Sequence, residues 1–160
     1  MLNALKLIAT AAIYCAAMAM PAFSANPYFE LKASPGATAV AVGADEYAAI
    51  GQTEISTTIF VLNDGEHKVK GVLMRDLVKY SGGTGEVVKL IALDGYEMSV
   101  PMTDFVKYDA VVATEIDGKP LSIRDHGPAW LIYPVSEHPE LNDTVYESRA
   151  VWQIKSISME

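Results

Sequence analysis

The sequence predicts a single α+β domain with a mainly antiparallel sheet and a few short helices, and three observations lead there. Short apolar, β-branched runs recur along the chain. Tight-turn signals separate several of them, at Asn63-Asp64-Gly65, Asp94-Gly95 and Asp117-Gly118. Asn, Asp and Gly tolerate the positive φ that hairpin turns require. Helical periodicity is confined to two or three small stretches, and no repeat, low-complexity tract or linker divides the chain.

Residues 1–24 read as a signal peptide. Lys6 gives a thin positive start, residues 7–20 form an apolar run too short for a comfortable membrane span, and Pro21 breaks it. Ala22-Phe23-Ser24 offers small residues at the two positions a signal peptidase reads, which puts the cut after Ser24. Cys15 follows Tyr14, where a lipidation signal needs a small residue. Cys15 is the only cysteine of the 160 residues, so the domain expected over 25–160 has none.

Residues 26–36, with Pro27 and Pro35, read as an extended leader. A first strand is expected over 38–42, then a helical turn over 45–50 with Asp45 and Glu46 at its positive end and Gly51 closing it. Residues 55–62 are the best strand by composition, returning through the Asn63 turn as 67–70. The apolar spacing of Val72, Leu73, Leu77 and Tyr80 predicts a helix over 72–80, ended by Gly82 and Gly83. Strands follow over 87–93 and 96–100. Thr103 is expected to cap a short helix to Tyr108. Further strands are expected over 110–116 and 129–133, where Trp130 and Tyr133 point to opposite faces so that only one meets the core. A polar loop is expected over 136–144, and a closing strand over 151–158 with Trp152, Ile154 and Ile157 as core anchors.

Composition narrows the function. Apolar residues at 51% against charged residues at 20% argue for a packed domain rather than disorder. With 12 Lys and Arg against 20 Asp and Glu, the net charge of -8 repels a phosphate backbone, so nucleic acid is not an expected partner. A disulfide scaffold and a Cys-based zinc site are excluded. There is no P-loop, Gly-rich dinucleotide turn or nucleophile elbow. His67, His126 and His138 lack metal-helix spacing and read as surface or loop histidines, while Asp45/Glu46, Asp64/Glu66 and Asp117/Asp125 read as turn carboxylates.

One segment, Asp117 through Pro134, concentrates Arg124, His126, two Gly and the aromatics Trp130 and Tyr133. It resembles the molybdopterin-binding domain of sulfite-oxidase-type oxidoreductases. Three other stretches resemble that family in the same order: Gly71-Val72-Leu73-Met74-Arg75-Asp76-Leu77, then Ala92-Leu93-Asp94-Gly95-Tyr96 with Val100-Pro101-Met102, then Val151-Trp152-Gln153-Ile154. The resemblance implies that family's fold from about residue 38 onward. It departs at two places. The family's molybdenum-binding cysteine falls in the run 57–67, which has no cysteine here. Where the family places a phosphate-gripping arginine after His-Gly, this chain offers Trp130.

The resemblance therefore implies a pterin pocket without the metal, like the small, exported, cysteine-free pterin-binding proteins that report to membrane-bound sensors controlling cyclic-di-GMP. On that basis the expected ligand is a metal-free pterin, the expected location the periplasm, and the expected partner the periplasmic domain of such a sensor or cyclic-di-GMP enzyme. Molybdenum is not expected. In this reading Asp94 meets an aminopyrimidine edge, Tyr96 or Trp130 stacks, and Arg75, Arg124 and Arg149 meet carbonyl or hydroxyl oxygens. His126 lies in the same loop as Arg124, and Thr58 and Phe60 share a face of the strand equivalent to the metal-binding one. Arg75 otherwise pairs with Asp76 or Glu66. Two other classes remain at this stage: a molybdopterin-dependent oxidoreductase subunit of sulfite-oxidase type, and an interaction module with no small ligand.

Overall fold

The computed structural model describes residues 26–160, and the expected signal peptide with Cys15 lies outside them. Within the described residues, two five-stranded sheets account for all ten strands. The first is ordered β2 (Val40–Val42), β1 (Phe29–Lys32), β10 (Ile154–Met159), β5 (Val87–Ala92), β6 (Glu97–Pro101). The second runs β3 (Thr53–Thr58), β4 (Glu66–Leu73), β7 (Val111–Ile116), β8 (Lys119–Pro120), with β9 (Trp130–Ile132) also pairing β7. Only β1 and β10 pair in parallel; the other ladders are antiparallel, as expected.

The main core lies between the sheets. Phe29, Leu31, Val88, Leu90, Ile154 and Ile157 of the first sheet meet Val72, Val112 and Leu131 of the second. Alternation along β1 and β5 sends every second residue inward, the pattern of a sheet with one buried face. The second sheet is apolar on both faces where β7 and β9 pair. Val69, Val111, Ala113, Trp130 and Ile132 form a separate cluster on its far side, closed by Ile59. This overturns the expectation for β9: Trp130 and Tyr133 are both buried, at 2% and 1% exposure, because each face of this sheet has its own apolar cover. Helix α1 (Ala44–Ile50) docks through Tyr47, whose hydroxyl donates to the Val112 carbonyl and accepts from the Val72 amide at 3.2 Å. Burial holds that phenol far above its usual pKa, so it remains a donor.

Element boundaries move where tertiary pairing outweighs local pattern. Helix α2 is Met74–Ser81, not 72–80, because Val72 and Leu73 continue β4 against Val112 and Val111. Strand β3 ends at Thr58, not Leu62; beyond it the chain turns and Ile59 enters the far cluster. Helix α3 (Met102–Lys107) begins after Pro101, and Thr103 lies inside it without capping. The extended leader contains β1, and the polar loop contains a 3-10 turn at Pro139–Leu141. The loop's last residue, Thr144, begins helix α4 (Thr144–Arg149), whose N-cap Asp143 accepts from the Val145 amide at 2.8 Å. The closing strand starts only at Ile154, since Gln153 takes a left-handed φ of 51° and breaks the alternation before it. Trp152 is thereby turned outward at 39% exposure, against the expectation that it anchors the core.

Gly71 sits where the β4–β7 register shifts, and an added Cβ there would stand 2.1 Å from the Val112 carbonyl oxygen and 2.8 Å from Ala113 Cα. Both neighbours are backbone and have little room to yield. Gly71→Ala is expected to lower stability by about 2 kcal/mol or more, measured by chemical denaturation, whereas an alanine at exposed Lys79 changes it by less than about 0.5 kcal/mol.

Candidate functional site

Helix α4 and the β5–β6 hairpin enclose a cavity of about 420 Å³. That is within the ~300–1,000 Å³ typical of small-molecule clefts. The hairpin contributes Ala92, Asp94 and Tyr96; α4 contributes Thr144, Glu147 and Ser148; the segment before β10 contributes Ala150, Val151 and Trp152. The Asp94-Gly95 turn forms as expected, with Gly95 at φ 90° and Asp94 Oδ1 accepting from the Tyr96 amide at 2.9 Å. The Tyr96 hydroxyl donates to the Ser148 carbonyl at 3.1 Å, tying hairpin to helix while its ring remains solvent-facing. A second cavity of about 360 Å³ lies on the other side of Glu147, which lines both. Its wall is Thr58, Phe60, Leu62, Asn63 and Gly65 from the β3–β4 connection, with Val135 and Asn142.

The helix that separates the cavities is fastened from beneath. Asp104 of α3 is a nearly buried carboxylate whose Oδ2 accepts from the Tyr133 hydroxyl at 3.0 Å and from Arg149 Nη1 at 2.8 Å. Burial, and then the charge of Asp104, push the Tyr133 phenol far above its usual pKa, so it donates throughout the working pH range. The Arg149 guanidinium also lies over the Tyr146 ring, 5.4 Å from its centroid. Beneath Trp152 is an aromatic stack: His126 lies on Trp130 at 4.6 Å and 27°, and Trp152 meets both edge-on. The Trp130 indole donates to the Ala150 carbonyl at 3.1 Å. The His126 loop is itself pinned by Gln153, whose amide donates to the His126 carbonyl and whose side chain donates to that of Ile123.

The residues singled out from the sequence therefore divide. Asp94 and Tyr96 line the first cavity, and Thr58 and Phe60 line the second. Arg149 lies on α4 between them, committed to Asp104. Trp130 and His126 are one layer behind the first cavity, supporting Trp152 rather than lining it. Arg124 sits in an exposed 3-10 turn beside His126 and lines neither cavity. Arg75 pairs with Asp109, not with Asp76 or Glu66, and lies away from both. Sequence reasoning missed Glu147 and misassigned Trp152. The signal for α4 was present in Asp143 as an N-cap before Val145 and Tyr146.

The first cavity is lined by two aromatic rings, three small apolar residues and two carboxylates, and no Lys or Arg lines either cavity. Among the described residues there is no cysteine and no group of three His, Cys, Asp or Glu placed to hold an ion. These residues do not fit a thiolate-held molybdenum.

No family model matches the chain, and no curated protein matches it. Among solved structures it is similar to the sulfane dehydrogenase SoxCD from Paracoccus pantotrophus, with a TM-score of 0.60 and 13% identity, covering 82% of this chain and 37% of that one. The chain thus spans little more than a third of that neighbour's length. The likeness is one of fold: the domain has the α+β, mainly antiparallel architecture of the sulfite-oxidase-like type.

The Asp104 network generates a stability prediction. Arg149→Ala leaves the Asp104 carboxylate nearly buried without its cation and is expected to cost about 3 kcal/mol in equilibrium unfolding. The triple variant Arg149→Met, Asp104→Leu and Tyr133→Phe, which leaves no polar member of the network unpaired, is expected to recover more than half of that loss.

Proposed function

We propose that this chain is an exported, non-catalytic pterin-binding protein that relays pterin availability to a membrane-bound partner acting on cyclic-di-GMP. The observation that carries the ligand part is the first cavity. It is lined by the rings of Tyr96 and Trp152, by apolar Ala92, Ala150 and Val151, and by the carboxylates of Asp94 and Glu147. A pterin is a flat, electron-poor bicycle whose aminopyrimidine edge carries N–H donors. Stacking on an aromatic ring and a paired carboxylate at that edge are the contacts it requires. Export is read from the signal-peptide character of residues 1–24, the signalling partner from the resemblance of the four sequence stretches, and the absence of cysteine from the described residues supports a metal-free ligand. The second reading, a molybdopterin-dependent subunit, is favoured only by the kinship of fold.

Titrating the protein with oxidised and dihydro pterins is expected to quench pterin fluorescence saturably. Trp152→Ala is expected to weaken binding about tenfold through lost stacking, with Asp94→Asn weakening it comparably. Flat titrations across several pterins would remove the reading, and stoichiometric molybdenum in protein from its own host would replace it with the enzyme. Because only carboxylates supply charge to the lining, a phosphate ester of the same pterin is expected to bind at least about tenfold more weakly than the free alcohol at low salt, with the gap narrowing as salt is added.

A further inference from the structure

His67 stands at the joint of two turns. Its Nδ1 lies 2.7 Å from Asp117 Oδ2 and its Nε2 lies 2.8 Å from Asp64 Oδ1, with the ring 11% exposed. Asp64 belongs to the β3–β4 connection, the same segment whose Phe60, Leu62, Asn63 and Gly65 wall the second cavity. Asp117 belongs to the β7–β8 turn. Both ring nitrogens therefore face carboxylate oxygens, which accept but do not donate. A neutral imidazole has one N–H and can satisfy only one of them; an imidazolium satisfies both.

We propose that His67 is a proton-operated latch that fastens the 59–65 segment, and with it the wall of the second cavity, to the β7–β8 turn. The two carboxylates are not equivalent. Asp117 is held independently: its Oδ1 accepts from the Lys68 amide at 2.9 Å and its own amide donates to the Lys68 carbonyl at 2.8 Å. The Asp64 side chain is 70% exposed and His67 is its side-chain partner among the described residues. When the ring loses a proton the remaining N–H stays with Asp117, and the lone pair on Nε2 faces Asp64 and repels it. Asp64 is the arm that opens.

The surrounding charges agree with this assignment. Asp117, followed by Asp64, holds the His67 imidazolium above the ordinary histidine pKa, with burial acting in the opposite sense. The same contact, followed by the Lys68 amide, lowers Asp117, to which Lys119 adds a weaker favourable field. Glu66 and Lys68 flank His67 on β4 and alternate to the other face of the strand. The latch is therefore fully closed below about 6.5, the ordinary histidine value, and opens as pH rises through the raised one. It does not depend on what the cavities bind.

The test is a pH titration of the protein by NMR, reading the His67 ring nitrogens and the exchange of the 60–66 amides corrected for intrinsic rate. His67 is expected to titrate above the ordinary histidine value. Protection of those amides is expected to fall about three- to tenfold across its midpoint, the effect of one hydrogen bond, while the β5 amides do not change. His67→Gln, which has a single donor group and no titration, is expected to abolish the pH dependence. Asp64→Asn is expected to lower the His67 midpoint while leaving the fold's near-UV circular dichroism intact. A His67 midpoint at or below the ordinary value, or 60–66 protection that changes with pH equally in His67→Gln, would overturn the latch.

Discussion

The carboxylate of Asp104 is carried into the interior by α3, and its partners determine where the wall of the candidate site stands. A charge withdrawn from water costs several kcal/mol unless donors replace its hydration. Here Tyr133, at the end of the second sheet's β9, and Arg149, at the end of α4, both donate to the same oxygen. Three elements distant in sequence are thus tied to one atom. Arg149 is drawn inward by this contact, and α4 is left presenting Thr144, Glu147 and Ser148 to the cavities. The acidic character of the lining is in part a consequence, since the arginine of α4 is already neutralised inside.

A second constraint is the two-sided burial of the second sheet. In most antiparallel sheets one face is wet, and alternation along a strand tells core from surface. In this protein the far face is covered by Ile59, Leu62 and Leu121, and the ladder through β9 is dry on both sides. Trp130 is consequently a packing residue. Its neighbour in the stack, Trp152, takes the outward place because the left-handed residue Gln153 breaks the strand before the alternation can bury it. The layered arrangement of Trp130, His126 and Trp152 gives the solvent-facing indole a firm backing, and a rigid aromatic face loses little entropy when a flat guest settles on it.

Much of the fold was legible residue by residue. The Asn63-Asp64-Gly65, Asp94-Gly95 and Asp117-Gly118 turns fall where the chain reverses, and β2, α1, β5, β6 and β7 lie on the runs that predicted them. The errors cluster where a local pattern was truthful about apolarity and silent about pairing. Val72 and Leu73 have the spacing of a helical face, yet they extend β4, because cross-strand bonds to β7 outweigh a single extra turn of helix. Phe29 and Leu31 alternate over too few residues to stand out between two prolines, and they find a parallel partner only when the far end of the chain arrives as β10. At the site, Asp94 and Tyr96 were readable because a tight turn announces itself locally. Glu147 was not, because nothing in a short polar helix says that two cavities will open on either side of it.

What the sequence by itself determined is what depends on neighbours along the chain: turn positions, strand-forming runs, the acidic balance and the lack of a thiol after Cys15. These follow from backbone preference and composition, which need no partner. Only the tertiary structure decided which arginine faces inward, which tryptophan faces outward, and which carboxylates share a cavity. Each of those depends on how closely an oppositely charged or apolar surface from a distant segment approaches. Burial and charge pairing are properties of that approach, and residues 45 positions apart, such as Asp104 and Arg149, carry no sign of it until they meet.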